Sequence, residues 1–219
     1  AKKGEILTDY PGGYPMVYDP KTKKTRVYDI PVKHQGISSV SPDESRGIAY
    51  VSTCSDGRPN ESTHFMILNL ETGKYRDLMN CQHMYPFIVV DHLGRALHPV
   101  LGGTIARYDP RADMLQELTQ MIDGKDPGKW LAHPQSHPIN WDVTSDHKTL
   151  YAVPMSDNSI YRYDLEQNGA VFHGKKVVTL VAGARTTDCR AMCVGPDGTV
   201  WAGVAATFPG KPQRLRVIS

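Results

Sequence analysis

The chain has 219 residues, of which 40% are hydrophobic, and a mean hydropathy of −0.41, enough apolar content for a sizeable core. Its 25 basic and 23 acidic side chains leave a net charge of +2, so no basic stripe marks nucleic acid or an anionic membrane as a partner, and no apolar run is long enough for membrane insertion. No catalytic-triad or phosphate-loop pattern stands out, which argues against serine hydrolase and nucleotide chemistry.

The first predicted element is a hairpin over residues 14–30, where Val17-Tyr18-Asp19-Pro20 ends a strand and Lys21, Lys23, Lys24 and Arg26 lie on a solvated edge. A full repeat follows at 37–82: the apolar run Ile37 to Val40, a polar turn from Ser41 to Gly47, a return strand, and a second hairpin at Leu68-Asn69-Leu70-Glu71. The next, at 86–124, has Phe87 to Val90, a turn from Asp91 to Arg95, and Arg107-Tyr108-Asp109-Pro110. A loop insertion covers Asp123 to Lys129. The repeat at 139–182 has Ile139 to Val143, a turn from Ser145 to Lys148, and Arg162-Tyr163-Asp164-Leu165. The last, at 190–219, has Ala191 to Val194 and the turn Gly195-Pro196-Asp197-Gly198, and is incomplete.

The anchors Val40, Val90, Val143 and Val194 are 50, 53 and 51 residues apart. Pro, Asp and Gly after each anchor are β-turn chemistry, so each repeat opens with a hairpin and contains a second one. Four short strands per repeat of ~40 to 50 residues is the pattern of a β-propeller blade, because one such sheet cannot bury both faces until neighbours stack on it. The predicted fold is therefore all-β, a propeller of four-stranded antiparallel blades in a single domain over residues 1–219, with about four blades' worth present. Two explanations fit blades that start and stop midway: a segment of a larger, six- to eight-bladed propeller, which is preferred, or a four-bladed ring closed by the N-terminal hairpin. Tyr18, Tyr108, Tyr161 and Tyr163 are expected to pack between blades, and Trp141 and Trp201 to be core or channel-lining.

The stretch from Thr144 to Val153 followed by Ser159 to Leu165 resembles a YVTN-type propeller repeat, and Pro196-Asp197-Gly198-Thr199-Val200-Trp201 is similar to repeats of the streptogramin lyase and SMP-30 lactonase group. The resemblance implies a toroid with a ligand site at one mouth of its channel.

Cys189 and Cys193 are four apart on a predicted strand, roughly 13 Å if it is straight, too far for a disulfide. Cys54 and Cys81 fall in loops on one face, so either a bridge, which would mark an oxidising compartment, or two half-buried thiols is consistent with the spacing. A periplasmic or extracellular location is the expectation.

Histidines recur in register. His34 is six residues before Val40, His83 seven before Val90 and His137 six before Val143, while Asp188 is six before Val194. A propeller gathers the loops that lead to its innermost strands around one mouth, so these residues should approach one another and could hold a divalent metal such as Mn, Zn or Ca. His92 and His147 lie in turns expected on the far face, and His98 could reach the mouth. The third loop, His133-Pro134-Gln135-Ser136-His137-Pro138, is similar to the oligogalacturonate lyase family, in which histidines and a glutamine hold the metal; the likeness implies Gln135 and His137 as ligands.

The expected metal set is His34, Gln135, His137 and Asp188, with Arg190 binding an anionic group and His83 or Tyr85 moving a proton. Two functions follow. One is a metal-assisted lyase or lactonase acting on an acidic sugar or oligosaccharide; the other is a non-catalytic propeller binding a small ligand or a protein partner through the same face.

Overall fold

The computed structural model describes residues 10–54, 63–81, 87–100, 103–126, 138–154, 159–184 and 186–218, with backbone alone for 81, 138, 139, 186–190 and 211–218. It divides into two compact units, Ala1–Tyr85 and Pro86–Ser219.

The first unit opens with a hairpin of β1 (Met16–Asp19) and β2 (Lys24–Val27), then a four-stranded antiparallel sheet in chain order: β3 (Gly36–Asp43), β4 (Ile48–Cys54), β5 (Thr63–Asn69) and β6 (Tyr75–Cys81). Consecutive residues of β4, Ala49, Tyr50 and Val51, are all buried, as are Phe65 to Leu68 on β5. A strand buried on both sides needs cover on both faces of its sheet. Ala49, Val51, Met66 and Leu68 gather with Tyr28 from beyond β2, whose hydroxyl donates to the Leu70 carbonyl at 2.9 Å.

The second unit holds two further four-stranded sets, β7 (Val89–Val90), β8 (Ala96–Pro99), β9 (Thr104–Asp109), β10 (Met114–Ile122) and β11 (Pro138–Val143), β12 (Thr149–Pro154), β13 (Ser159–Asp164), β14 (Val171–Thr179). A three-stranded sheet completes it: β15 (Thr186–Val194), β16 (Val200–Phe208) and β17 (Lys211–Ile218). Every set is antiparallel in chain order. The anchors Val40, Val90, Val143 and Val194 lie on β3, β7, β11 and β15, the first strand of each set.

Within this unit β11 lies beside both β7 and β15. Trp141 Nε1 donates to the Phe87 carbonyl at 2.8 Å, His147 Nδ1 to the Val90 carbonyl at 2.6 Å, and the Val194 amide to Asp142 at 2.8 Å. First strands of successive sets are thus stitched together, as stacking requires.

The second hairpins turn by one repeated device. The side-chain oxygens of Asp19, Asn69, Asp109 and Asp164 accept from backbone amides two residues on, at Lys21, Glu71, Arg111 and Glu166. Such Asx turns explain why Asp or Asn recurs at these positions.

Four expectations need correction. The turn after Val40 begins later: β3 runs through Pro42 to Asp43 and reverses over a 3₁₀ turn, Glu44–Arg46. Pro42 is tolerated because β3 is an edge strand. Tyr18 is 57% exposed rather than packed, because its hairpin pairs with no other strand among the described residues. Trp201 is 47% exposed on β16, which excludes the core alternative for it, whereas Trp141 is core. Finally, β10 and β14 pair in parallel over Thr119–Ile122 and Val171–Gly174, joining two sets into one eight-stranded sheet.

Two buried arginines brace that sheet. Arg95 pairs with Asp91 and donates to Asn168 and to the Leu165 carbonyl, while Arg107 donates to the carbonyls of Gln167, Asn168 and Gly169. Burial, then the neighbouring Arg95 charge, lowers the Arg107 pKa. Arg95→Ala leaves the Asp91 carboxylate buried without its cation and frees the Leu165 carbonyl, so it should cost about 3–5 kcal/mol in urea unfolding. A loss below the error of the measurement would remove the brace.

Acid should loosen the first-hairpin turns. Burial alone would raise the Asp43 pKa, but bonds from Ser45 and Arg46 outweigh it and hold it below 3.8. The Thr144 hydroxyl lowers Asp146, and the Thr199 amide lowers Asp197. The unfolded chain therefore takes up protons first. Stability from these groups is complete above 3.8 and is lost as pH falls from there through the folded values. Melting curves should show Tm falling across that window, less steeply in Asp43→Asn; an equal slope in the variant would exclude Asp43 as a contributor.

Candidate functional site

The best-defined candidate is His34, in the loop between β2 and β3. Its backbone has φ 65, a left-handed value uncommon for a residue with a side chain. Three bonds hold it there. The His34 amide donates to the Pro11 carbonyl at 3.0 Å, the neighbouring Gln35 carbonyl accepts from Gly13 at 2.9 Å, and the Gln35 side chain, 1% exposed, accepts from Thr53 at 2.6 Å. Gly12, at φ 130, is required: a Cβ there would come within 2.5 Å of the Ile30 side chain.

The His34 Nδ1 lies 2.9 Å from the Tyr10 carbonyl. A carbonyl only accepts, so Nδ1 carries the hydrogen and the neutral ring keeps its lone pair on Nε2. This is the outer contact typical of a metal-ligating histidine, whose second nitrogen is fixed by a backbone carbonyl. The residue thus fits a ligand or base role at Nε2.

Asp188 and Arg190 lie on β15, where the backbone is described and the side chains are not. Asp188 pairs with Ala205, and the register then slips between Cys189 and Ala191, so Arg190 is the extra residue of a β-bulge. Similar slips occur on β3 between Ile37 and Ser39 and on β11 between Pro138 and Asn140. A bulge recurring on the first strand of three sets marks a shared departure from regular pairing, and bulges are common beside active sites. His83, Tyr85, Gln135 and His137 lie outside the described residues.

Four of the other described histidines have structural partners or settings. His147 bonds Val90 as above, and its own carbonyl accepts from the His92 amide at 3.0 Å, so these two turn residues join successive hairpins instead of standing free at the surface. His98 is fully buried on β8 opposite Ala106. His64 pairs with Asp77 across β5 and β6. Cys54 is a half-buried free thiol whose pKa burial raises, and Cys193 is a free, exposed one. Among the described residues no three His, Cys, Asp or Glu side chains converge as a metal group. The residues missed by the sequence reading are the arginine pair: Arg95 and Arg107 sit inside strand and turn motifs, and only burial sets them apart.

No family model matches the chain, and no curated protein does. Solved structures do. A chain of the hydrazine synthase of Kuenenia stuttgartiensis is 12% identical, with all of this chain and 66% of that one covered at a TM-score of 0.62. A 6-phosphogluconolactonase-like protein from Bacteroides uniformis is 16% identical, with 94% and 62% covered at 0.55. A chain of a nidogen/laminin complex is 13% identical, with 91% and 70% covered at 0.56. The chain spans about two thirds of the length of these solved chains. With antiparallel sheets built in chain order, these likenesses show an all-β, propeller fold.

Proposed function

We propose that the protein is a metal-assisted lyase or lactonase acting on an acidic sugar or oligosaccharide, with His34, Gln135, His137 and Asp188 holding a divalent cation, Mn, Zn or Ca. The observation that carries this reading is the bond between His34 Nδ1 and the Tyr10 carbonyl, which in the neutral ring places the hydrogen on Nδ1 and makes Nε2 the lone-pair nitrogen. A cation held there would neutralise a uronate carboxylate or polarise a lactone carbonyl. Arg190 binds the anionic group of the substrate, the bulge at its position supporting a special role. His83 and Tyr85 handle the proton, His83 as base and Tyr85 as donor to the leaving oxygen. The likeness to a lactonase-like protein is compatible with this chemistry.

A second reading, a non-catalytic module binding a small-molecule ligand or a protein partner, draws on the exposed Trp201 and Phe87, since exposed aromatics are favoured at interfaces.

His34→Asn separates the readings. Asn tolerates the left-handed backbone and its amide can still donate to Tyr10, but it has no Nε2. The variant should keep its fold, lose the copurifying metal and lose turnover of uronate oligosaccharides or lactones. His137→Ala should lose turnover as well. Retained metal and rate in His34→Asn would overturn the ligand role; absence of metal and of turnover in the wild type would leave the binding module.

A further inference from the structure

A cleft of about 470 Å³ opens in the second unit between the turn after β10 and the β13–β14 ladder. It falls in the range of small-molecule pockets, about 300–1,000 Å³. Across that ladder Arg162 stands directly opposite Lys175. Residues so paired project from one face of a sheet, and like charges in this position repel. His173, two residues before Lys175, shares the face and also lines the cleft. Among the described residues none of these three side chains bonds a protein acceptor. Two cations are therefore held side by side without a counterion bridging them.

The walls are fixed before any ligand arrives. The Gln167 side chain accepts from the His173 amide at 2.7 Å and donates to the His173 carbonyl at 3.1 Å, and the Gln167 carbonyl is in turn gripped by buried Arg107 at 3.0 Å. Opposite, Asp123 and Gly124 adopt left-handed φ values of 50 and 72, and the Asp123 amide bonds the Gly174 carbonyl at 3.0 Å. Asp164 uses Oδ1 to accept from Glu166, and Asp123 uses Oδ2 to accept from Lys176, so each carboxylate retains an oxygen for an incoming hydroxyl.

We propose that this cleft binds a small polyhydroxylated anion, a sugar whose acid group is a carboxylate or a phosphate. The acid group bridges Arg162 and Lys175, where a guanidinium fork suits two anionic oxygens, and the hydroxyls donate to Asp123 and Asp164. The two carboxylates offset the two fixed cations in formal charge, so a bare anion gains little from the net field and the hydroxyl contacts decide recognition. The proposal goes beyond the function given above and shares no residue with it.

Calorimetric titration of the full chain tests it with four probes: digalacturonate, glucose 6-phosphate, inorganic phosphate and neutral digalactose. At least one of the two sugar anions should bind, more weakly as salt rises, and which one binds distinguishes carboxylate from phosphate. Arg162→Gln and Lys175→Gln should each weaken binding by about tenfold or more, with the Tm of the free protein unchanged or raised because the opposed charges are relieved. His34→Asn should leave this binding intact. The proposal is overturned if neither sugar anion binds, if inorganic phosphate or digalactose binds as tightly, if both cleft variants bind like the wild type, or if binding is lost in His34→Asn instead.

Discussion

A sheet whose strands are apolar on both faces has to be covered twice, and that requirement organises the second unit. On β12, Leu150 and Ala152 face one way, into a cluster with Val89, Leu97, Ile105 and Leu118 from the preceding set. Val153, between them and the strand end, faces the other way, into a cluster with Ala202, Val204 and Ala206 of β16. One strand thus contributes to two cores. Fully burying a single aliphatic side chain is worth about 1.5–3 kcal/mol, so each added neighbour stabilises the set it covers, and no set is self-sufficient.

Stacking of this kind encloses the turns as well as the strands, and enclosed carbonyls need donors. The chain meets that need with long cations. Arg26 reaches Leu70 and Glu71 at 2.7 and 2.8 Å in the first unit, and Arg95 and Arg107 reach the β13–β14 turn in the second. The arrangement is the same in both places: a guanidinium from one set satisfies the second hairpin turn of the next. Because Arg107 holds the Gln167 carbonyl and Gln167 holds His173, packing in the interior sets the position of side chains at the cleft surface.

The first strands and both families of turns were legible because their signals are local. Asp19, Asn69, Asp109 and Asp164 act on amides two residues away, so spacing along the chain is enough to find them. The parallel pairing of β10 with β14 was not legible, since its partners are about fifty residues apart and no turn announces it. Pro42 misled in the opposite sense: it reads as a turn residue, yet an edge strand accommodates it. For the candidate site, the registration of His34 was visible in the sequence, but not its αL backbone or the carbonyl that fixes its tautomer. Those depend on Tyr10, Pro11 and Gly13, some twenty residues upstream, which carry no histidine-related pattern.

The parallel join between β10 and β14 ends at Gly174, and β14 continues to Thr179 with exposed residues only. Beyond the join this stretch has one paired side and one side that meets no other strand among the described residues. Its sequence is Lys175, Lys176, then Val177 and Val178, which are 54% and 46% exposed. A β-branched pair on an open strand is a template for accretion of further chains, and lysines next to such a pair act as gatekeepers, because an incoming strand would have to bury or align with like charge. Lys175 therefore serves twice, lining the cleft and, with Lys176, guarding the molecule against self-association along its sheet edge.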